Sequence, residues 1–399
     1  MNFLIPIFSP PTGSWGSLTR LMAIANKFIK EGHSIAFCAS GYVKETLIEK
    51  GFKTYEIPEM TILSLPKFLS NIISKRSKNL SPPAKKGRAV GNIWLLFNFT
   101  GYNKTKTILK LVKSEIEAIK DFKPDAILTE MELASYVSAY IMNIPMITTY
   151  AKISSNGKDS FFYKKIKRRI NRVLKKYSIK DHIEPYELAF GKNVLKLIPS
   201  IPELDTTDSN EMDVCYTGNL LEPIQKTKIK FIPEPNKKYI FCYFGTGSIN
   251  IPTVIKILPK VINKMKNTVC YVASQSICKE FNIKNIYFVK YVQASEILPH
   301  CKVTICHGGL NTITQSLEAG VPLIIFPGAI FERRFNAQKV AEAKGGYMGE
   351  LTDFNEKWIT EKIGSLNKLD VNRLKKEFHK YHGIDTAYNK IIDWINSKN

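Results

Sequence analysis

Short runs of β-branched and aromatic residues alternate along this chain with longer stretches in which apolar residues recur every three or four positions. Phe3 to Phe8 reads as a buried strand, the Pro/Gly/Ser stretch Ser9 to Ser17 as a turn, and Leu18 to Glu31 as a helix that Gly32 ends. A strand from Ser34 to Cys38, a helix from Val43 to Lys50 and a strand from Phe52 to Ile57 continue the series. A second unit passes from the strand Ala126 to Leu128 through the helix Ala134 to Met142 into Pro145 to Thr148. This β-α-β rhythm predicts parallel sheets covered by helices. Residues 60 to 105 interrupt it with Pro66, Pro82-Pro83, Lys85-Lys86 and an aromatic run from Trp94 to Tyr102. That predicts a long irregular insertion, of the kind that tends to carry function.

The 399 residues are too many for one core and suit two domains of roughly 200 residues each. Residues 222 to 238, with Pro223, Pro233, Pro235 and a high share of lysine, predict an exposed linker. A strand from Lys238 to Phe244 then runs into the short loop Gly245-Thr246-Gly247-Ser248. Later, Lys302 to Cys306 reads as a buried strand, and Thr312 to Ala319 is helical, with Ile313 and Leu317 on one face. Between them lie His307-Gly308-Gly309-Leu310-Asn311. Glycines where a strand becomes a helix let the backbone approach a ligand, and the unpaired N–H groups of a first helical turn favour a phosphate. Glu318, about two turns on, is placed to accept ribose hydroxyls. Taken alone, the Gly-Gly pair is equally an ordinary tight turn and the histidine a structural hydrogen-bonding residue.

The ordered set His307-Gly308-Gly309, Asn311, Thr312, Glu318, Gly320-Val321-Pro322, Pro327 and Asn336-Ala337 resembles the donor-site signature of the family-1 glycosyltransferases. That group includes macrolide glycosyltransferases and UDP-glycosyltransferases. The resemblance extends back through Tyr291-Val292-Gln293 to Leu298, similar to the family's base-binding segment, and forward to Glu332 and Arg333. It implies the GT-B fold: an α/β chain of two Rossmann-like domains facing a cleft. The boundaries implied are 1–222 for an acceptor-binding domain, 223–380 for a nucleotide-sugar domain, and 381–399 for a helix crossing back to the first. It also implies His307, Gly308, Gly309 and Asn311 on the diphosphate, Glu318 on the ribose and Tyr291 stacked on the base beside Val292. Thr246 would face the cleft. Glu332 would face sugar hydroxyls, but Arg333 stands where the family usually has Gln, and a guanidinium fork suits a carboxylate better than neutral hydroxyls. A uronic acid as donor sugar is the sharper reading; Arg333 pairing with Glu332 is the plainer one.

The departure from the family is at the base. Its usual Gly-His after the first strand corresponds to Gly16-Ser17, and a serine hydroxyl without an activator removes no proton near neutral pH. The family's partner Asp corresponds to Glu130, whose extra methylene gives it the reach to serve as base, with Glu132 as the second choice. The expected activity is inverting, metal-independent transfer of a sugar from a nucleotide-diphosphate donor, taken as UDP-linked, to a hydroxylated lipid or small molecule. No cofactor is expected beyond the UDP-sugar co-substrate. A nucleotide-sugar hydrolase and a non-catalytic UDP-binding partner subunit are the rivals, the latter because of Ser17.

Composition narrows the remaining classes. A hydrophobic content of 44% without an apolar run of ~20 residues excludes a membrane-spanning helix. The N-terminus lacks the charge pattern of a signal peptide and predicts a cytoplasmic chain. Seven cysteines without CxxC spacing read as reduced core residues rather than a zinc site. The net charge of +23 is uneven: Tyr163 to Lys180 carries nine Lys/Arg and no acid, with apolar residues at helical spacing. Residues 163–180 therefore suit either an anionic membrane surface or a packed helix with a solvated basic face. Nucleic acid is disfavoured because no aromatic residues are interleaved as stacking platforms.

Overall fold

The computed structural model describes residues 1–9, 15–77, 91–151, 156–180, 182–207, 213–221, 231–245 and 249–398. Thr246, residues 78–90 of the insertion and most of the linker lie outside them. The described residues form two seven-stranded sheets. In the first, β1 (Asn2–Pro6), β2 (Ser34–Ala39), β3 (Lys53–Glu56), β4 (Ala126–Thr129), β5 (Met146–Thr149), β6 (Val194–Ile198) and β7 (Val214–Tyr216) run parallel in the order β3-β2-β1-β4-β5-β6-β7. The second contains β8 (Lys238–Tyr243), β9 (Thr268–Ala273), β10 (Phe281–Ile283), β11 (Ile286–Val289), β12 (Cys301–Cys306), β13 (Leu323–Ile325) and β14 (Gly346–Met348). Its order is β10-β11-β9-β8-β12-β13-β14, with only the edge strand β10 antiparallel.

Both sheets are doubly wound. The chain builds outward from β1 in one direction, then returns to lay β4 on its other side, and β8 and β12 repeat that reversal. At such a switch point the loops leaving the carboxyl ends of the two central strands diverge to opposite faces, opening a crevice that binds ligands. The crevice residues are thus fixed by topology: those following β1 and β4 in the first sheet, and those following β8 and β12 in the second.

Helices cover both faces of each sheet. In the first half they are α1 (Trp15–Lys30), α2 (Gly41–Glu49), α3 (Lys67–Ser77), α4 (Ile93–Phe97), α5 (Thr105–Phe122), α6 (Leu133–Met142), α7 (Phe161–Lys176) and α8 (Pro185–Phe190). The insertion expected to be irregular is therefore partly helical, since α3 and α4 lie in it. Trp94, Phe97 and Tyr102 sink fully into the core instead of lining an open loop. The second half carries α9 (Ile251–Ile262), α10 (Ala294–Ile297), α11 (Leu310–Ala319), α12 (Phe331–Glu342), α13 (Glu356–Gly364), α14 (Val371–Phe378) and α15 (Ile384–Asn396).

Two packing results bear on function. Tyr163, Ile166, Ile170, Val173 and Leu174 of α7 are buried in the core shared with α4, α5 and α6. The apolar stripe of 163–180 is thus occupied by protein, as in the packed-helix alternative, and the basic residues stay on the solvent side. The terminal helix α15 packs on α1, with Ala387, Ile391, Trp394 and Ile395 joining Leu21, Ile24 and Phe28 in one cluster. Each large side chain buried there contributes about 1.5–3 kcal/mol. Among the described residues, no helix is long and apolar enough to cross a membrane.

Candidate active site

The turn after β12 is built around His307. Its ring is 7% exposed, and its Nδ1 lies 3.2 Å from the Tyr243 carbonyl at the end of β8. Three glycines surround it because a side chain would not fit: a Cβ at Gly309 would lie 2.9 Å from the imidazole, as would one at Gly245. Gly308 has φ +89° and sits under the Arg333 carbonyl, where a Cβ would come within 2.9 Å. Only glycine holds that backbone without strain. Asn336 donates to the Gly308 carbonyl at 3.1 Å, so this signature residue secures the turn itself. Helix α12 is pinned in turn by Arg334, which forks onto both oxygens of Glu350 at 2.9 and 2.7 Å.

Helix α11 starts at Leu310, two residues earlier than the sequence pattern indicates, which brings Asn311 and Thr312 into its first turn. Gly309 precedes it and no side chain caps the end. The first amides therefore face the crevice unpaired, the arrangement that attracts an anion. Burial pushes the His307 imidazole down to about 3, helped by the charge of Arg333 and opposed by the Tyr243 carbonyl. The ring is neutral at pH 7, and the proton on Nδ1 that the Tyr243 carbonyl requires leaves Nε2 as an acceptor. To donate to a phosphate through Nε2, His307 must take up a second proton.

Across the crevice stands a residue that the sequence reading missed. Arg20, on the first turns of α1, forks onto Glu130: Nε donates to Oε2 at 3.0 Å and Nη2 to Oε1. Its Nη1 donates to Asn311 Oδ1, while Asn311 Nδ2 reaches Thr19 Oγ1 at 3.5 Å. Arg20 is 8% and Glu130 7% exposed. Burial would lower the guanidinium, but Glu130 outweighs it and holds Arg20 above its ordinary value. Glu130 is therefore not a free base. Its negative charge is committed to a cation that stitches α1 to α11, and Asn311 is bound to α1 and not free to meet a phosphate. A lone arginine in a helix carries no sequence signal; its partner lies 110 positions away.

The other expected base is also displaced. Glu132 is fully buried, caps α6 through the Ala134 N–H, and accepts from Tyr102 Oη. Burial raises its carboxyl to about 8, against the Ala134 hydrogen bond, so it is protonated at neutral pH and enclosed. Ser17 is buried in the first turn of α1. The carboxylate left open in the crevice is Glu332 on the first turn of α12. Its side chain opens to the crevice, where desolvation by the crevice walls and the charge of Glu130 raise its carboxyl while Arg20 and Arg333 oppose the rise.

The remaining donor-side positions are spread along the rim. Glu318 accepts from Asn219 Nδ2 at 3.0 Å, leaving one oxygen for a ligand. Tyr291 is 67% exposed, offering a bare ring face, with half-buried Val292 beside it. The Arg333 Nη1 is buried with no hydrogen-bond partner, so the expected pairing with Glu332 does not form as a hydrogen bond. No three His, Cys, Asp or Glu side chains cluster as metal ligands among the described residues.

Residues 256–384 match the glycosyltransferase family 28 C-terminal domain. An uncharacterized glycosyltransferase of Methanosarcina mazei is 23% identical over 357 residues, covering 83% of this chain and 81% of that protein. The whole architecture is also found in solved structures: the glycotransferase of kitacinnamycin superposes with a TM-score of 0.73 at 13% identity, over 98% of both chains. The chain is a glycosyltransferase of the GT-B fold. The human 2-hydroxyacylsphingosine 1-beta-galactosyltransferase is 23% identical to this glycosyltransferase over 249 residues, 57% of this chain and 43% of the relative. Spinosyn rhamnosyltransferase SpnG, solved with thymidine diphosphate, shares the fold with a TM-score of 0.66 at 14% identity, over 98% of this chain and all of that one. The match at 256–384 contains the whole of the turn, α11 and α12, so the half of the glycosyltransferase that carries the family signal is the half around His307.

Proposed function

We propose that this glycosyltransferase moves a sugar from UDP to the hydroxyl of a lipid or another apolar alcohol, with inversion and without a metal ion, at the cytoplasmic face of a membrane. The observation that carries the reading is the meeting of the His307 turn and the uncapped end of α11 with the Arg20–Glu130 pair at facing switch points. The diphosphate lies on the α11 amides, with His307 protonated by its approach. Arg20, oriented by Glu130, exchanges Asn311 for the phosphate and offsets the charge of the leaving group. This cation takes the part a metal plays elsewhere. The free oxygen of Glu318 takes the ribose hydroxyls, and Tyr291 takes the base.

The acceptor oxygen attacks the anomeric carbon from the face opposite the diphosphate. As that bond forms, the bond to the phosphate oxygen breaks and its electron pair leaves with UDP. Arginine cannot receive the acceptor proton. Glu332, the open carboxylate with a raised pKa, receives it, because a base nearer neutrality removes a proton more readily. A lipid acceptor is supported by the sphingolipid galactosyltransferase among the relatives. The test is transfer from radiolabelled UDP-sugars to a panel of lipid alcohols in excess chelator. Product of opposite anomeric configuration, undiminished by the chelator, is the expected result. Turnover that needs no acceptor would identify a hydrolase, and UDP binding with no turnover would identify an inert relative.

A further inference from the structure

We propose that Asn219 is the positioning residue that aims Glu318 at the ribose, so that recognition of the ribose hydroxyls depends on a side chain from the first half of the chain. The inference rests on the reading of Glu318 as the ribose acceptor. Glu318 lies half-buried on the last turn of α11, and a glutamate on a helix surface ordinarily samples many rotamers. This one is held. Asn219 Nδ2 donates to Glu318 Oε2 at 3.0 Å, and Asn219 Oδ1 lies 3.5 Å from Thr314 Oγ1, one turn earlier on the same helix. Thr314 is 1% exposed, and its hydroxyl also reaches the Asn311 carbonyl at 3.2 Å. The amide thus spans positions i and i+4 of α11, and turned over it would set its oxygen against the carboxylate.

A side chain can position another only if its own backbone is fixed. Asn219 follows β7, where the chain leaves the first half. Gly218 before it has φ +71° and donates its N–H to the Ser200 carbonyl at 3.1 Å. It packs so closely on Tyr381 that a Cβ there would lie 2.9 Å from the Tyr381 Cβ. Gly383, where the chain returns from the second half, lies against the Asn219 carbonyl with no room for a Cβ. The outgoing and returning passages therefore clamp Asn219 between them.

With Oε2 held, the plane of the carboxylate is set and Oε1 is left for the ligand. The 2′ and 3′ hydroxyls of a ribose are both donors, and a carboxylate oxygen carries lone pairs for both. A carboxylate already oriented meets them without giving up rotamer freedom on binding. Preference for a ribose over a deoxygenated sugar then requires Asn219 as well as Glu318, although Asn219 touches no ligand. A bond that merely tied the two halves together would act on every nucleotide alike, whatever hydroxyls it carried.

The experiment is calorimetry of the full chain with UDP and with 2′,3′-dideoxyuridine diphosphate, which lacks both hydroxyls. The parent should bind UDP about tenfold tighter or more, as hydrogen bonds to a charged acceptor require. Asn219→Ala should weaken UDP about fivefold and leave the dideoxy ligand unchanged. Asn219→Asp keeps the shape of the side chain but loses the donor, and should weaken UDP at least as much, again without effect on the dideoxy ligand. In a Glu318→Ala background, Asn219→Ala should change neither affinity further. Equal loss for both ligands would make Asn219 a structural tie and overturn the proposal, as would a UDP preference undiminished in both Asn219 variants; either result leaves the ribose role of Glu318 standing. A parent that binds the two ligands alike would remove that role and the proposal with it.

Discussion

The two walls of the crevice are built in opposite ways. On the wall around His307, the turn and the helix end lie within Cys306 to Ala319, and what they turn to the crevice is largely backbone. On the facing wall, the central feature is a buried ion pair between residues 110 positions apart, made by side chains alone. Backbone sites tolerate change around them as long as the glycines stay. A buried pair tolerates none, because removing either partner strands the other's charge. Damage to the Arg20–Glu130 pair should therefore cost stability and turnover together, whereas damage to the His307 turn should cost affinity alone.

Arg20→Gln is the strongest test. It leaves Glu130 buried without its partner and should destabilise the chain by about 3–5 kcal/mol in denaturant unfolding. The double variant Arg20→Gln, Glu130→Gln should recover most of that stability while turnover stays about 10²-fold or more below the parent. Recovery of both would make the pair purely structural and dissolve the contrast between the walls. Glu332→Gln comes next, with kcat expected to fall roughly 10²- to 10⁴-fold and UDP affinity little changed. Near-normal kcat with the correct acceptor would move the base elsewhere.

In the turn after β12, His307→Ala should weaken UDP by about 1.5–3 kcal/mol by calorimetry and leave the unfolding midpoint close to that of the parent. In the parent, proton uptake on binding should make UDP affinity rise as pH falls from 8 to 6. Calorimetry in buffers of different ionisation enthalpy would detect the proton, and identical heats in all of them would show that His307 stays neutral.

A smaller effect concerns Glu132. Its folded carboxyl is raised to about 8, above the unfolded value, so the stability it contributes is complete below the unfolded value of 4.5 and is lost as pH rises through about 8. Glu132→Gln should therefore raise the melting temperature at pH 9, raise it less at pH 6 and change it little at pH 4; an equal shift at all three would show that ionisation is not the cause. The smallest effect is expected at Tyr291, where Ala should weaken UDP by about 1 kcal/mol through lost stacking.

The difference between the walls also explains what could be read in the sequence. Repeated strand and helix patterns define the parallel sheets, and the Gly308-Gly309 pair between a strand and a helix marks the phosphate turn, because these signals are local. The α7 stripe was equally visible, but periodicity does not say whether lipid or protein covers an apolar face; only the placement of α4 and α5 does. Glu130 was legible as a residue at the carboxyl end of β4. That its charge is neutralised by Arg20 was not, since pairing across the first sheet depends on how α1 is rotated against it. Burial of Trp94 and Tyr102 was hidden for the same reason.

The terminal helix lies against the later turns of α1, the helix whose first turns present Arg20 to the crevice. The segment leading into it is tied to the end of the first half, where the Gly383 N–H donates to the Thr217 carbonyl at 2.9 Å. The last stretch of chain thus acts as a splint on the helix that aims the guanidinium. The rotational freedom Arg20 would otherwise lose at each turnover is surrendered once, when the protein folds. A chain cut back before Ile384 would keep every residue of the crevice, yet it would have to settle the aim of its cation anew each time a donor arrives.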